Sequence, residues 1–236
     1  MRRLAFPFIS TVSFCLLAPI AIIASVLTGS GDFAHRIGRI WAAIVLKAAG
    51  ARLTVEGKEN IPRDLPVVFA CNHASQLDIP VLYRAIPIQF RFLVKKELFR
   101  IPLLGLAMRK TGYIPVDRSG GREALKSLQE AASRISSGTS VAVFPEGTRS
   151  SHGRLGPFKS GAMVVAIKAG CPVVPVAIIG SWKVLPKGGI FAMPGPIHVR
   201  VAHPVPTMDS NGRKRSKEEL NREVWGILDS MMKEIR

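Results

Sequence analysis

The sequence is short of acidic residues, cysteine and aromatic side chains, and each shortage excludes a class of protein. Its 236 residues include 16 Asp plus Glu against 33 Lys plus Arg, a formal net charge of +17. The three cysteines, Cys15, Cys71 and Cys171, form no CxxC pair. We therefore expect neither a disulfide scaffold nor a cysteine zinc site, and we expect a reducing compartment. Because hydrophobic residues make up 47% of the chain, it is not a disordered basic tail.

Several binding and catalytic signatures are also missing. The sequence contains no GxSxG, GxxxxGK[ST], GxGxxG or HExxH motif. It therefore lacks the usual sequence evidence for a serine hydrolase, a P-loop NTPase, a dinucleotide enzyme or a zinc protease. Aromatic residues amount to 7%, whereas a nucleic-acid surface interleaves aromatics with its cations. The positive charge therefore predicts an anionic membrane surface or a phosphorylated substrate, and no nucleic-acid partner.

Charge is absent from a long N-terminal stretch, Leu4 through Gly31. A run of this length could cross a bilayer as one straight helix. Pro7 and Pro19 favour instead a bent, shallowly embedded helix. A cleaved signal peptide and a pair of buried core helices are the alternatives.

The next stretch, residues 33–50, has apolar residues at helical spacing and ends at Gly50, a helix-stopping residue. Its basic positions are predicted to face lipid headgroups; they are His35, Arg36, Arg39 and Lys47. We therefore expect residues 1–50 to form a two-helix membrane-associated segment ahead of an α/β domain at residues 51–236.

Short apolar runs alternate with amphipathic runs in the remainder of the chain, which is typical of an α/β fold. Two internal helices are predicted to end at Gly138 and Gly170, and a capping box at Ser216 and Glu219 predicts a last helix reaching Ile235. Strands are predicted at residues 67–71, 90–94, 140–144, 173–179 and 197–201.

The segment NHASQLD at residues 72–78 follows the first of these strands, where α/β folds build their sites. A strand-to-helix turn, with Asp78 as helix N-cap, would bring its carboxylate to His73. The carboxylate would then fix one ring nitrogen and leave the other as a base near neutral pH. A satisfied polar pair without chemistry is the alternative interpretation. Ser75 is expected to be a structural hydroxyl.

The segment FPEGTRS at residues 144–150 follows another apolar strand. Gly147 permits close backbone approach, Thr148 offers a hydroxyl, and Arg149 can hold a phosphate through two parallel hydrogen bonds. An ordinary turn with a surface ion pair is the alternative. Other cations also end β-type runs and could converge on one edge of the sheet, beside His73. They are Lys95, Lys96 and Arg118.

Taken in order, NHxxxxD, GYIPVDR, FPEGTRS and VPVAI resemble the four motifs of the glycerolipid acyltransferases, specifically the 1-acyl-glycerol-3-phosphate acyltransferase family, between Asn72 and Ile178. The resemblance implies a single mixed-sheet α/β acyltransferase domain behind an N-terminal membrane-docking helical hairpin. It implies acyl transfer from acyl-ACP or acyl-CoA to the sn-2 hydroxyl of lysophosphatidic acid, with no bound cofactor or metal. It also implies a location at the cytoplasmic leaflet of the cell inner membrane.

The resemblance further assigns roles to residues. It makes His73 the general base and Asp78 its orienting partner. The chemistry of this reaction also needs donors to the developing oxyanion, which backbone N–H groups around residues 72–75 could supply. It places Glu146, Gly147, Thr148 and Arg149 in the substrate site, with Arg118 and either Lys95 or Lys96 on the phosphate, and Pro175 beside the acyl or acceptor pocket. The sequence departs from the family pattern at Pro115, where many members carry a larger apolar residue.

Two further hypotheses remain open. The acceptor could be another lysolipid, such as a lyso-ornithine lipid, because the arginines suit any anionic head group. A membrane-binding protein without catalytic activity is less consistent with the sequence, because it would have little need of both His73 and Asp78.

Overall fold

The computed structural model describes residues 2–233, so Ile235, where the last helix was predicted to end, lies outside the described residues. The described chain contains seven strands and eight α-helices. The strands are β1 (Ala51–Glu56), β2 (Val68–Cys71), β3 (Arg91–Lys95), β4 (Ile114–Val116), β5 (Val141–Val143), β6 (Val173–Ile179) and β7 (Gly195–Val201). The helices are α1 (Arg2–Thr28), α2 (Asp32–Ala49), α3 (Asp78–Ala85), α4 (Leu104–Lys110), α5 (Gly121–Ser136), α6 (Gly161–Ala169), α7 (Ser181–Val184) and α8 (Lys217–Lys233).

The seven strands form one sheet in the order β1-β7-β6-β2-β5-β3-β4. Every neighbouring pair is parallel except β6 and β7, which run antiparallel. The α/β fold with a mixed sheet is therefore confirmed. Because β7 runs against β6, β7 and its parallel neighbour β1 begin at the edge where the other five strands end. We call this edge of the sheet the upper edge.

The five strands predicted from apolar runs all form, with bounds within two residues of the prediction. Of the other two strands, β4 lies in the β-type run that Arg118 was expected to end, and β1 was not predicted. Its side chains alternate between half-buried and exposed, as on an edge strand.

Two apolar cores lie on opposite faces of the sheet. One is built with α2 and α3, and the other with α5, α6 and α8. Strand β2 shows the division, because Phe69 contributes to the first core and Val68 to the second.

Half of the capping box predicted at the start of α8 forms. Ser216 accepts the N–H of Glu219 at 3.1 Å, whereas the Glu219 carboxylate pairs with Arg215 at 2.7 Å.

Helix α1 continues through Pro7 and Pro19 without interruption. Among the described residues it is the one helix long and apolar enough to cross a membrane, over Leu4–Thr28. In its most apolar 18-residue stretch, only 17% of the residues are buried. It packs on α2 and α4. Large apolar side chains remain exposed along it; they are Leu4, Phe8, Leu16, Ile20, Ile23, Val26 and Leu27.

Helix α2 ends where predicted, because Gly50 adopts a left-handed conformation and donates its N–H to Leu46 and Lys47. The prediction that His35 faces lipid headgroups is wrong. Its ring is buried between Tyr83 and Phe90, with centroid distances of 4.9 Å to each. Burial lowers the pKa of His35 to about 3, so the ring is neutral at physiological pH.

Arg39 also turns away from its predicted position facing lipid headgroups. Its guanidinium donates a hydrogen bond of 2.7 Å to the Ile86 carbonyl, beside the end of α3. The cations of α2 that remain exposed are Arg36 and Lys47.

Candidate functional site

The chain turns sharply at the upper edge of the sheet between β2 and α3, and this turn brings His73 and Asp78 together. Their Nδ1 and Oδ2 atoms lie 2.8 Å apart, and Asp78 is fully buried. The same oxygen accepts the N–H groups of Ala74 and Ser75, each at 2.8 Å. Asp78 is the first helical residue and not the N-cap, which is Leu77. The expected capping role is therefore wrong, because the carboxylate turns back onto the preceding loop.

The His73 ring is held in one orientation by this contact and by stacking on Phe144, with ring centroids 3.9 Å apart and an interplanar angle of 13°. A carboxylate only accepts hydrogen bonds, so Nδ1 is the protonated nitrogen in the pair with Asp78. The other nitrogen, Nε2, is then the basic one. This is the arrangement of a general base with its orienting carboxylate.

Glu146 connects the loop after β2 with a later part of its own loop, between β5 and α6, through its carboxylate. Oε1 accepts the His73 N–H at 2.7 Å and Oε2 accepts the Gly156 N–H at 2.8 Å. A Cβ at position 156 would come within 3.0 Å of Oε2, so the glycine permits this approach. Burial raises the pKa of Glu146, and the two N–H groups partly oppose that rise. The structure gives Glu146 backbone contacts where the sequence interpretation expected a contact with substrate.

The N–H groups expected to stabilise an oxyanion are engaged elsewhere. Those of His73, Ala74 and Ser75 all donate to carboxylates. The hydroxyl of Ser75 is buried and donates to the Leu185 carbonyl at 2.7 Å, which confirms it as a structural group. The N–H groups of residues 73–75 are therefore not free to serve as the expected oxyanion donors.

Asn72 was not singled out by its own chemistry, yet it ties β2 to β6. Its side-chain amide donates to the Ile178 carbonyl at 2.9 Å and accepts the Ile178 N–H at 2.6 Å. Pro175 lies in β6 opposite Ala70 and is not among the residues that line the cavity described below. The VPVAI segment therefore holds the turn in place from within the sheet, and the expected contact of Pro175 with that pocket is not seen.

The cations divide into those at the site and those paired away from it. Lys96 pairs with Asp117, which raises the pKa of the lysine and lowers that of the aspartate. Lys95 lines the cavity, and its Nζ lies 3.8 Å from Oε2 of Glu97. Of the two lysines, the structure therefore brings Lys95 to the cavity.

Two arginines lie beside Lys95. Arg118 donates to the Gly147 carbonyl at 2.8 Å, and burial lowers its pKa. Arg149 has a buried guanidinium nitrogen, Nη1, with no hydrogen-bond partner within the described part of the chain. A buried cationic donor left unpaired is suited to an anionic ligand.

These groups surround one end of a cavity of about 460 Å³. Its polar end is formed by His73, Lys95, Arg118 and the segment Gly147–Arg149. The rest of the wall is apolar and comes from α1, α2, α3, β3 and α4; its side chains include Phe14, Leu17, Ile37, Trp41, Ile79, Phe92, Leu104 and Met108. A charged mouth leading to an apolar interior suits a ligand with an anionic head and a hydrocarbon chain.

Comparisons with known proteins agree with this arrangement. A family model described as Acyltransferase matches residues 52–179. The 1-acyl-sn-glycerol-3-phosphate acyltransferase of Pseudomonas aeruginosa is 34% identical over 198 residues, which are 83% of this chain and 74% of that protein. The chloroplastic enzyme BAT2 of Brassica napus is 38% identical over 191 residues, 75% of this chain and 55% of that protein. The chain thus spans about half the length of the plant relatives it matches.

A solved structure extends the similarity to the whole chain. The crystal structure of the 1-acyl-sn-glycerophosphate acyltransferase PlsC from Thermotoga maritima superposes with a TM-score of 0.78 at 28% sequence identity. The superposition covers 100% of this chain and 98% of that one. The N-terminal helices are therefore part of the shared architecture.

Proposed function

The chain belongs to the acyltransferase family, and from this premise we propose that it transfers a fatty acyl group from an acyl thioester to the sn-2 hydroxyl of lysophosphatidic acid, giving phosphatidic acid. One observation carries the proposal. A histidine oriented by a buried aspartate lies where a ring of cations meets an apolar cavity. This combination provides a base, a phosphate site and space for a hydrocarbon chain.

In the proposed mechanism, Nε2 of His73 takes the proton from the acceptor hydroxyl as its oxygen attacks the thioester carbonyl. A carbon–oxygen bond forms, and the tetrahedral intermediate then expels the thiolate, which receives the proton from His73. Asp78 stabilises the imidazolium between these two steps and keeps Nε2 directed at the cavity.

The cations are proposed to bind the phosphate of the acceptor. Arg118 and Arg149 both line the polar end of the cavity, and Lys95 lies beside them. The unpaired Nη1 of Arg149 offers a charge-assisted hydrogen bond to a phosphate oxygen.

We propose that the apolar interior holds the fatty acyl chain and that acyl-ACP or acyl-CoA is the donor. The walls supplied by α1 and α2 support this assignment, because those two helices also expose apolar side chains to the outside. The protein associates with a membrane through them, at the cytoplasmic leaflet of the inner membrane. Residues 1–50 then form the docking segment and residues 51–236 the acyltransferase domain.

The test is an acyl-transfer assay on the purified protein in detergent, with labelled acyl-ACP and acyl-CoA as donors and lysophosphatidic acid as acceptor. Phosphatidic acid, identified by mass spectrometry, is expected from the wild type and from the His152→Ala variant, whose histidine is exposed. His73→Ala is expected to give none above background. Lyso-ornithine lipid serves as a second acceptor, and transfer to it alone would overturn the phosphate assignment. Undiminished transfer by His73→Ala would overturn the mechanism.

A further inference from the structure

The connection between β6 and β7 exposes an unusual run of large apolar side chains. Ile190, Phe191 and Met193 are 61%, 45% and 47% exposed, whereas Ala192 between them is 2% exposed. Single exposed apolar residues are normal on soluble proteins, but three within four positions form a patch. We call residues 186–194 the apolar loop.

The backbone of the apolar loop is fixed to the rest of the domain. The N–H of Met193 donates to the Val184 carbonyl at 2.8 Å, and that of Gly189 donates to Pro186 at 2.9 Å. Next to the loop, Gly195 donates to the Gly50 carbonyl at 3.3 Å. The three apolar side chains are therefore held outward by an ordered backbone whose Ala192 belongs to the core.

The apolar loop lies beside the cationic end of the site. Strand β7 begins at the upper edge of the sheet, so the connection leading into it is at the same edge as the turn at residues 72–78. The Nζ of Lys187, within the loop, donates to the Arg149 carbonyl at 2.8 Å. On its other side the loop meets the end of α2, where a Cβ on Gly50 would come within 2.9 Å of Pro194.

Cations accompany the apolar side chains. Lys183 and Lys187 are both exposed near the loop, as is Lys47 in the last turn of α2. Apolar side chains flanked by lysines are the composition by which a protein surface binds an anionic bilayer, with the apolar groups below the headgroups and the cations among them. The exposed apolar residues of α1 offer a second apolar surface.

We propose that the apolar loop is a third membrane-contacting element, which inserts Ile190, Phe191 and Met193 into an anionic bilayer beside the mouth of the site. This inference rests on the proposed function, in which acceptor and product are both membrane lipids. With the loop in the bilayer, a lysolipid enters the mouth, and the product leaves it, without crossing water. The cations next to the loop then meet the phosphate at headgroup depth.

The experiment compares the double variant Ile190→Ser plus Phe191→Ser with Leu125→Ser, which removes an exposed apolar residue from α5 on the opposite face of the sheet. Flotation measures partition of the full-length protein onto vesicles of phosphatidylcholine, with and without phosphatidylglycerol. We expect the double variant to partition about tenfold more weakly onto the anionic vesicles. Leu125→Ser is expected to match the wild type, and Lys187→Gln to lose mainly the dependence on phosphatidylglycerol.

A second measurement separates this proposal from the proposed function. Transfer to a short-chain, water-soluble lysophosphatidic acid should be equal in the double variant and the wild type, whereas transfer to acceptor embedded in vesicles should fall with the partition. Unchanged partition of the double variant would overturn the loop proposal and leave the reaction intact. If the wild type acylated neither acceptor, the proposed function would fail instead, whatever the partition.

A Phe191→Trp variant reports insertion directly. Brominated lipids are expected to quench the fluorescence of the added tryptophan, so the quenched fraction should be larger in this variant than in the wild type. Absence of added quenching would contradict insertion. A raised KM for acyl-ACP in the double variant, together with unchanged partition onto vesicles, would assign the surface to an acidic carrier protein and overturn the membrane proposal.

Discussion

The loops that follow β2 and β5 lie side by side at the upper edge, yet they use their polar groups differently. In the first loop, one oxygen of Asp78 accepts two backbone N–H groups and the His73 ring nitrogen. In the second loop, Glu146 is likewise turned to the backbone, but Arg149 keeps an unpaired donor and lines the cavity. In the first loop the polar groups named here hydrogen-bond within the protein, whereas the second loop keeps a donor that a ligand can use.

This difference suggests a division of work. A group that must transfer a proton needs a fixed orientation, which internal hydrogen bonds provide. A group that must bind an anion needs donors not already used by the protein. We therefore expect substitutions in the first loop to lower kcat, and substitutions among the cations beside the second loop to raise KM for the acceptor.

The largest effect is expected from His73→Ala, which removes the proposed base. We expect kcat to fall by up to about 10⁴-fold, the upper range for general-base catalysis, with KM for lysophosphatidic acid unchanged within about threefold. Steady-state kinetics with His152→Ala as the matched surface control checks this. A KM effect larger than the kcat effect would show that the histidine binds substrate instead.

Asp78→Asn is expected to lower kcat by about 10²- to 10³-fold, because a neutral amide cannot stabilise the imidazolium as the buried carboxylate does. The amide oxygen can still accept the N–H groups of Ala74 and Ser75, so circular dichroism should show an intact fold. A variant retaining more than half of the wild-type kcat would mean that the pair is only a structural contact.

Arg118→Met is expected to raise KM for lysophosphatidic acid by about 10- to 100-fold, with a smaller effect on kcat, because one charge-assisted contact to the phosphate is lost. Lys96→Met is the matched control. Lys96 is a nearby cation that pairs with Asp117 and does not line the cavity, so its KM should change by less than about twofold. Equal KM effects in both variants would indicate that Arg118 acts through the overall positive charge near the cavity and not through a direct contact with the phosphate.

The smallest expected effect tests the shape of the cavity interior. A Cβ on Gly38 would come within 2.9 Å of the Tyr83 ring, and both residues line the cavity. Gly38→Ala should therefore displace the ring, reduce stability by about 1–3 kcal/mol and shift donor preference towards shorter acyl chains. Gly226→Ala on α8 meets nothing within 4 Å, so it should leave the chain-length profile unchanged and raise the Tm slightly. An unshifted profile in Gly38→Ala would place the acyl chain elsewhere.

Much of the fold followed from the sequence because its signals are local. Continuous apolar runs predicted four of the seven strands, clean alternation predicted a fifth at residues 197–201, and Gly50 ended α2 as expected. The pairing of His73 with Asp78 was also predictable, since only a turn lets residues five apart meet in this way.

The errors arose where a residue's partners are distant in the chain. The position of His35 depends on the aromatic rings of Tyr83 in α3 and Phe90 just before β3, which helical periodicity does not reveal. The contacts of Glu146 depend on how residues 73 and 156 fold beside it. The cavity joins α1, α2 and α4, so its apolar wall could not be assigned from any single segment.

The most direct test of the division between the two loops compares two acceptors that share one acyl chain, lysophosphatidic acid and the corresponding monoacylglycerol without phosphate. The ratio of their kcat/KM values is measured for the wild type, Asp78→Asn and Arg118→Met. The account predicts that Arg118→Met lowers the preference for the phosphate-bearing acceptor at least about tenfold, and that Asp78→Asn slows both acceptors equally and keeps the ratio. An unchanged ratio in Arg118→Met, or an altered one in Asp78→Asn, would contradict it.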